Sequence, residues 1–171
     1  MSESMRVVRR HWPLVVAVLL LAGAAVAFWQ ADRERNTDNV GNHAVVDAAA
    51  TGEVQSAVAS ALVRVFSYDY NNPEPTQQAA DDLLAGQARE QYDVLFAALE
   101  DKAPGQQLVL TAQVQVAAVQ QLSDRAATLL VFLDQASQRA SDQESAVSAA
   151  QLSVRAAKSG GDWRITGIEP L

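Results

Sequence analysis

One stretch limits what this chain can become. Pro13 to Trp29, PLVVAVLLLAGAAVAFW, runs 17 residues without a charged or strongly polar side chain, and Trp12 extends the run to 18. At ~1.5 Å rise per residue such a helix is roughly 27 Å long, about the thickness of the hydrocarbon core of a bilayer. A helix suits that setting because it satisfies every backbone N–H and C=O internally where no water can. Trp12 and Trp29 bracket the run, and amphipathic indoles favour the headgroup level. The short N-terminal flank carries Arg6, Arg9 and Arg10 against Glu3, whereas the far flank sets Arg33 and Arg35 against Asp32, Glu34 and Asp38. The positive-inside bias therefore predicts a cytoplasmic basic tail over residues 1–12, a single membrane helix over 13–29 in the plasma membrane, and export of residues 31–171. Gly23 and Ala27 make a small-x-x-x-small pair that lets another membrane helix approach closely. A cleaved signal peptide is the competing reading, since Ala25-Val26-Ala27 has the form of a cleavage site. The apolar run is long for the core of such a signal, and both readings export the rest.

Beyond residue 30 the sequence holds 19 acids and 10 bases, a net charge of −9 against −7 for the whole chain. Such a surface repels phosphate backbones and anionic headgroups, so nucleic acid is not an expected partner. The chain has no cysteine, so packing alone must hold the exported part. Only two histidines are present, His11 beside the apolar run and His43 in a polar segment, which removes much catalytic chemistry.

Residues 30–43 are polar and aperiodic, and read as a linker to an exported domain over 44–171. From about Val45 the period is helical: Val54, Val58, Ala61, Leu62 and Val65 fall on one stripe, and Asn71-Asn72-Pro73-Glu74-Pro75 cannot continue it beyond Tyr68 to Tyr70. Thr76 to Leu84 predicts a second helix with Gly86 as its C-terminal cap. Ala88 to Asp101 predicts a third, with Tyr92, Leu95, Phe96 and Leu99 facing inward and Lys102-Ala103-Pro104-Gly105 ending it. The period then changes to two. Leu108, Leu110, Ala112, Val114 and Val116 alternate with Val109, Thr111, Gln113 and Gln115, Ser123-Asp124 turns the chain, and Ala126 to Leu133 is apolar on both faces, as a doubly covered strand would be. Val147 to Ala157 follows, and Ser159-Gly160-Gly161-Asp162 reads as a hairpin turn before Trp163 to Ile168, with Trp163 expected to fill the core. Helices followed by a four-strand meander predict an α+β domain: helices packed on one face of a curved antiparallel sheet.

No constellation in the exported part specifies an active site. Phe66-Ser67-Tyr68-Asp69-Tyr70 offers a phenol beside a carboxylate, but the following Asn and Pro residues favour a helix end in which Asp69 bonds backbone amides of the turn. Asp81-Asp82 and Glu100-Asp101 are adjacent on helices and do not face each other, and Glu90 with Asp93 lies opposite the apolar stripe. Asp134 follows the apolar strand and is a candidate for a cavity rim. Arg155 and Arg164 sit on polar strand faces, where pairing with acids is the expectation. No metal-ligand spacing, Gly-rich phosphate loop or Ser–His pair is present, so neither a metal nor a cofactor is expected.

The order of these features resembles one family. A basic N-terminus, one membrane helix, Phe66-Ser67-Tyr68-Asp69-Tyr70 at a helix end, Gln91-Tyr92-Asp93, and Gly160-Gly161-Asp162-Trp163-Arg164-Ile165 near the C-terminus together are similar to the Mce-associated membrane proteins, accessories of actinobacterial mammalian-cell-entry (Mce) lipid importers. The resemblance spans roughly Pro13 to Ile168. It implies a nuclear transport factor 2-like cone of three helices on a bent four-stranded sheet, and a non-enzymatic role in stabilising or assembling an envelope lipid-import complex. The implied partners are Mce transporter subunits and other envelope membrane proteins, with lipid as a further ligand. An alternative is a small-molecule or lipid-binding domain, enzymatic or not, whose pocket would use Tyr68, Asp69 and Asp134. A secretion-apparatus scaffold shares the same single-anchor plan.

Overall fold

The computed structural model describes residues 47–139 and 144–171. The predicted anchor with Trp12, Gly23, Ala27 and Trp29, and the linker over 30–43, lie outside the described residues. The elements run α1 (Ala48–Phe66), β1 (Tyr68–Asp69), α2 (Glu74–Leu83), α3 (Gly86–Gln106), β2 (Leu108–Leu122), β3 (Ala126–Arg139), β4 (Glu144–Ser159) and β5 (Asp162–Pro170). The strands form one antiparallel sheet in the order β1-β2-β3-β4-β5.

Asp47 caps α1 by accepting the Ala50 N–H at 2.9 Å. Val54, Val58, Ala61, Leu62 and Val65 are all buried, as their spacing predicts. The helix ends at Phe66, slightly before the expected stop, because Tyr68 and Asp69 leave it to pair with Leu110 and Val109. This two-residue β1 adds a fifth strand to the expected meander. Thr76, buried in the first turn of α2, donates its hydroxyl to the Ser67 carbonyl at 2.7 Å and fixes the corner between the helices.

Gly86 does not cap α2. Leu84 is extended there and bridges Ile165, and the Ala85 N–H donates to the Ile165 carbonyl at 2.8 Å. Gly86, at φ +54°, takes the left-handed conformation that turns the chain from this crossing into α3. The third helix also runs past its expected end to Gln106, with Pro104 inside its last turn. Ala103, fully buried, anchors that turn, and Gln107 closes it at φ 51°. Of the expected inward stripe, Tyr92 and Phe96 are buried, Leu99 packs partly against the core, and Leu95 is exposed.

The sheet curls. Helix α1 packs against β2 near one edge and β5 at the other, which a flat sheet does not permit. Irregularities in register at Val114/Val116, Val119/Gln121 and Arg155/Ala156 supply the bend. Each bulge also moves the following residues to the other face. Val116, expected inward, is consequently 51% exposed, while Ala117 and Val119 pack against the core and Leu122 is buried.

Central β3 buries one face rather than two. Ala127, Leu129, Val131 and Leu133 lie under the helices, whereas Leu130 and Phe132 on the opposite face are half-buried. The interior is filled by Leu62, Leu84, Leu129 and Ile165, and Trp163 packs at its margin rather than in it. Gly160 and Gly161, at φ +65° and +103°, make the predicted turn between β4 and β5.

Candidate functional site

The helix side of the sheet carries an aromatic cluster. The register of β1, with Tyr68 opposite Leu110, sends the Tyr68 ring toward α3, where Tyr92 and Phe96 stand one turn apart. Tyr68 meets Phe96 edge-on at 5.6 Å, and Tyr92 stacks on Phe96 at 5.2 Å. Burial pushes both phenols above their ordinary pKa; at Tyr68 the nearby Glu100 and Asp69 charges add to it. Both are therefore neutral at physiological pH. The Tyr92 hydroxyl is buried and has no hydrogen-bond partner among the described residues. Arg89 lies over the Tyr92 ring at 5.8 Å and binds Asp81 at 2.6 Å and also Asp93, which closes the solvent side of the cluster.

The three candidate pocket residues do not converge. Asp69 is exposed and accepts the Asn71 N–H at 2.9 Å, holding the turn after β1. Asp134 accepts from the Gln115 amide at 3.0 Å. Its neighbours Leu133, buried, and Gln135, bonded to the Phe66 carbonyl at 3.1 Å, face the helices, so strand alternation sets Asp134 on the opposite side of the sheet from Tyr68. Asp134 and the Tyr68 phenol thus lie on opposite faces of the sheet.

The other charged groups hold elements together. Arg155 pairs with Glu169 at 3.3 Å and reaches Gln87 at 3.1 Å, lying flat over Gly167, where a Cβ would come within 2.5 Å of the guanidinium. Arg164, expected to meet an acid side chain, instead donates to the Asp81 and Asp82 carbonyls at 2.5 and 2.7 Å, where a cation complements the C-terminal end of α2. Glu53 of α1 accepts from Lys158 at 2.8 Å and from the Trp163 indole at 3.2 Å. Gln55 donates to the Ala117 carbonyl at 2.6 Å, and the Ser67 hydroxyl accepts the Ala112 N–H at 3.1 Å, both at the free side of β2. These long-range polar contacts leave no periodic trace in the sequence, and reading the sequence misses them. Among the described residues no group of three His, Cys, Asp or Glu side chains is placed to hold a metal ion, and no helix is long and apolar enough to cross a membrane.

No family model matches the chain. An uncharacterized protein of Mycobacterium tuberculosis, found in two strains, is 27% identical over 172 residues, covering 98% of this chain and 74% of that protein. Among solved structures, an IcmL-like type IV secretion system protein of Legionella pneumophila superposes with a TM-score of 0.59 at 11% identity, over 70% of this chain and 91% of that one. The periplasmic fragment of TraM gives 0.54 at 12% identity, over 70% and 96%. Agrobacterium tumefaciens VirB8 gives 0.53 at 13%, over 70% and 90%. At these identities the likeness concerns the fold: helices packed on a curled antiparallel sheet, shared with components of secretion systems.

Proposed function

We propose that this chain is a membrane-anchored, non-enzymatic accessory protein of the cell envelope that stabilises or assembles an Mce-type lipid-import complex. Its exported domain is then a nuclear transport factor 2-like cone held outside the plasma membrane by the helix over 13–29. The observation that carries the reading is the separation of Tyr68, Asp69 and Asp134: one buried in the aromatic cluster, one committed to a turn, one across the sheet. General acid–base chemistry needs such groups within hydrogen-bond reach of one substrate. Lys158, Arg164 and Arg155 are engaged in joining α1, α2 and α3 to the sheet, which suits a rigid module offering surfaces rather than a cleft. The order of motifs from Pro13 to Ile168 supplies the assignment to lipid import. The fold shared with VirB8 and TraM supports an envelope scaffold in general.

A second reading has an observation of its own. The unpartnered Tyr92 hydroxyl, among the Tyr68 and Phe96 rings, is what an apolar ligand with one polar group would bond. The two readings separate on purification of the tagged full-length chain in mild detergent, with mass spectrometry of proteins and lipids. The accessory reading expects importer subunits in the eluate. Recovery of one lipid per chain without transporter subunits replaces it with the second reading. Recovery of secretion-system subunits instead makes the chain a scaffold of that apparatus.

A further inference from the structure

Among the described residues, nothing covers the first half of β4 on three of its sides. Every residue from Ser145 to Gln151 is exposed, although all seven are paired with β3 on one edge. Among the described residues no helix covers either face of this stretch, and β5 pairs β4 only from Leu152 onward. Nor does any described strand pair the other edge of residues 145–150. Exposed edges are normally protected by charge, proline or a bulge, because their free N–H and C=O groups template pairing with another strand. This one has none of those devices. Residues 145–154, SAVSAAQLSV, carry no charge in a chain of net −7, and the β3–β4 register is unbroken from Arg139/Glu144 to Ala126/Ala157.

We infer that this edge is the docking strand for a second copy of the chain, paired antiparallel to itself about Val147. The geometry fixes the register. The Leu171 N–H donates to the Gln151 carbonyl at 3.0 Å, so Gln151 turns its backbone groups toward the free edge. Backbone direction alternates along a strand, and Ser145, Val147 and Ala149 therefore point the same way. A two-fold axis at Val147 sets Ser145 opposite Ala149, Ala146 opposite Ser148, and Val147 opposite its own copy. All three outward-facing residues of each strand then exchange hydrogen bonds, and Gln151 stays with Leu171. Val147, 75% exposed, is the one large apolar side chain between Ser145 and Gln151, and this register places it against a β-branched partner. Charge selects the occupant: two acidic copies can meet at a charge-free run of small residues without bringing carboxylates face to face. The pairing is independent of which complex the chain serves.

The test uses the full-length chain in membranes and in detergent. The chain lacks cysteine, so Val147→Cys introduces a lone thiol. Hydrogen-bonded antiparallel partners lie about 5.5 Å apart between Cα atoms, inside the ~4.4–6.8 Å span of a disulfide. Mild oxidant should cross-link Val147→Cys roughly 10²-fold faster than Val94→Cys, an exposed site on α3, because pairing makes the reaction effectively intramolecular. The native chain should sediment as a dimer. Val147→Lys should make it monomeric, as should Ala149→Pro, which removes an N–H that bonds no described residue of the protomer. A monomeric native chain overturns the inference. So does equal cross-linking at positions 147 and 94, or a dimer that survives both Val147→Lys and Ala149→Pro.

Discussion

Trp163 donates its indole N–H to the Glu53 carboxylate 110 residues earlier in the chain, at 3.2 Å, and Lys158 reaches the same oxygen at 2.8 Å. Lys158 also sits over the Trp163 ring at 5.6 Å, so three side chains lock the start of α1 to the β4–β5 hairpin. The hydrogen bond and charge of Lys158 hold the Glu53 carboxyl below its ordinary value of 4.5. A depressed carboxylate stabilises the fold above its unfolded pKa, and that contribution is lost as pH falls through the lower folded value. Glu53→Gln should therefore melt slightly below the native chain at neutral pH, and the gap should close as pH falls through the lowered folded value. Thermal melts of both proteins from neutral to acid pH check this; a gap that widens in acid contradicts it.

Two neighbours on β5 should differ in what they hold. Ile165 is 1% exposed in the interior, and Ile165→Ala should cost about 3–4 kcal/mol. Trp163 is half-buried at the margin, and Trp163→Ala should cost only about 1–2 kcal/mol. Denaturant unfolding of the two variants ranks them, and a larger loss at Trp163 would mean that the indole is a core plug.

The orphaned Tyr92 hydroxyl gives a third expectation. Leaving a buried donor unpaired costs about 1–3 kcal/mol, so Tyr92→Phe should be neutral or stabilising by about 1 kcal/mol. Burial raises the Tyr92 phenol, so its contribution is complete below the ordinary phenol value of 10.0 and is lost as pH rises toward the folded value. Tyr92→Phe should delay alkaline unfolding, measured by circular dichroism against pH. Destabilisation by Tyr92→Phe would show that the hydroxyl has a partner.

Topology is testable by single-cysteine labelling, since no native thiol competes. Ser141→Cys, between β3 and β4 in sequence, should react with an impermeant maleimide on intact cells, and Ser4→Cys should not. Labelling of Ser4→Cys alone would reverse the orientation, and a mature chain beginning at Phe28 would replace the anchor with a signal peptide.

Features that repeat locally are legible in the sequence. The α1 stripe from Val54 to Val65 declares itself by spacing, and Gly160-Gly161 by the conformation that only glycine adopts cheaply. The rest depends on partners distant in the chain. The phase of β2 changes at Val114/Val116 because the bulge is set by its pairing with β3, so Val116 turns to the face opposite the one its alternation predicts. β1 is two residues long and has no period to show. α3 outlasts Pro104 because buried Ala103 holds its last turn, a tertiary effect that overrides a local breaker. The Glu53–Lys158–Trp163 lock joins residues more than a hundred positions apart. Tyr68 and Asp134 are plausible companions in one dimension, and strand alternation sets them on opposite faces.

Whether the chain acts by holding a complex together or by chemistry in its own domain is decided by complementation of a deletion strain. The complementing chain carries Asp69→Asn and Asp134→Asn, and two quantities are read: the amount of assembled importer on native gels and the uptake of its lipid. An assembly role predicts that deletion lowers both and that the doubly substituted chain restores both. A doubly substituted chain that restores assembly but leaves uptake abolished would contradict it.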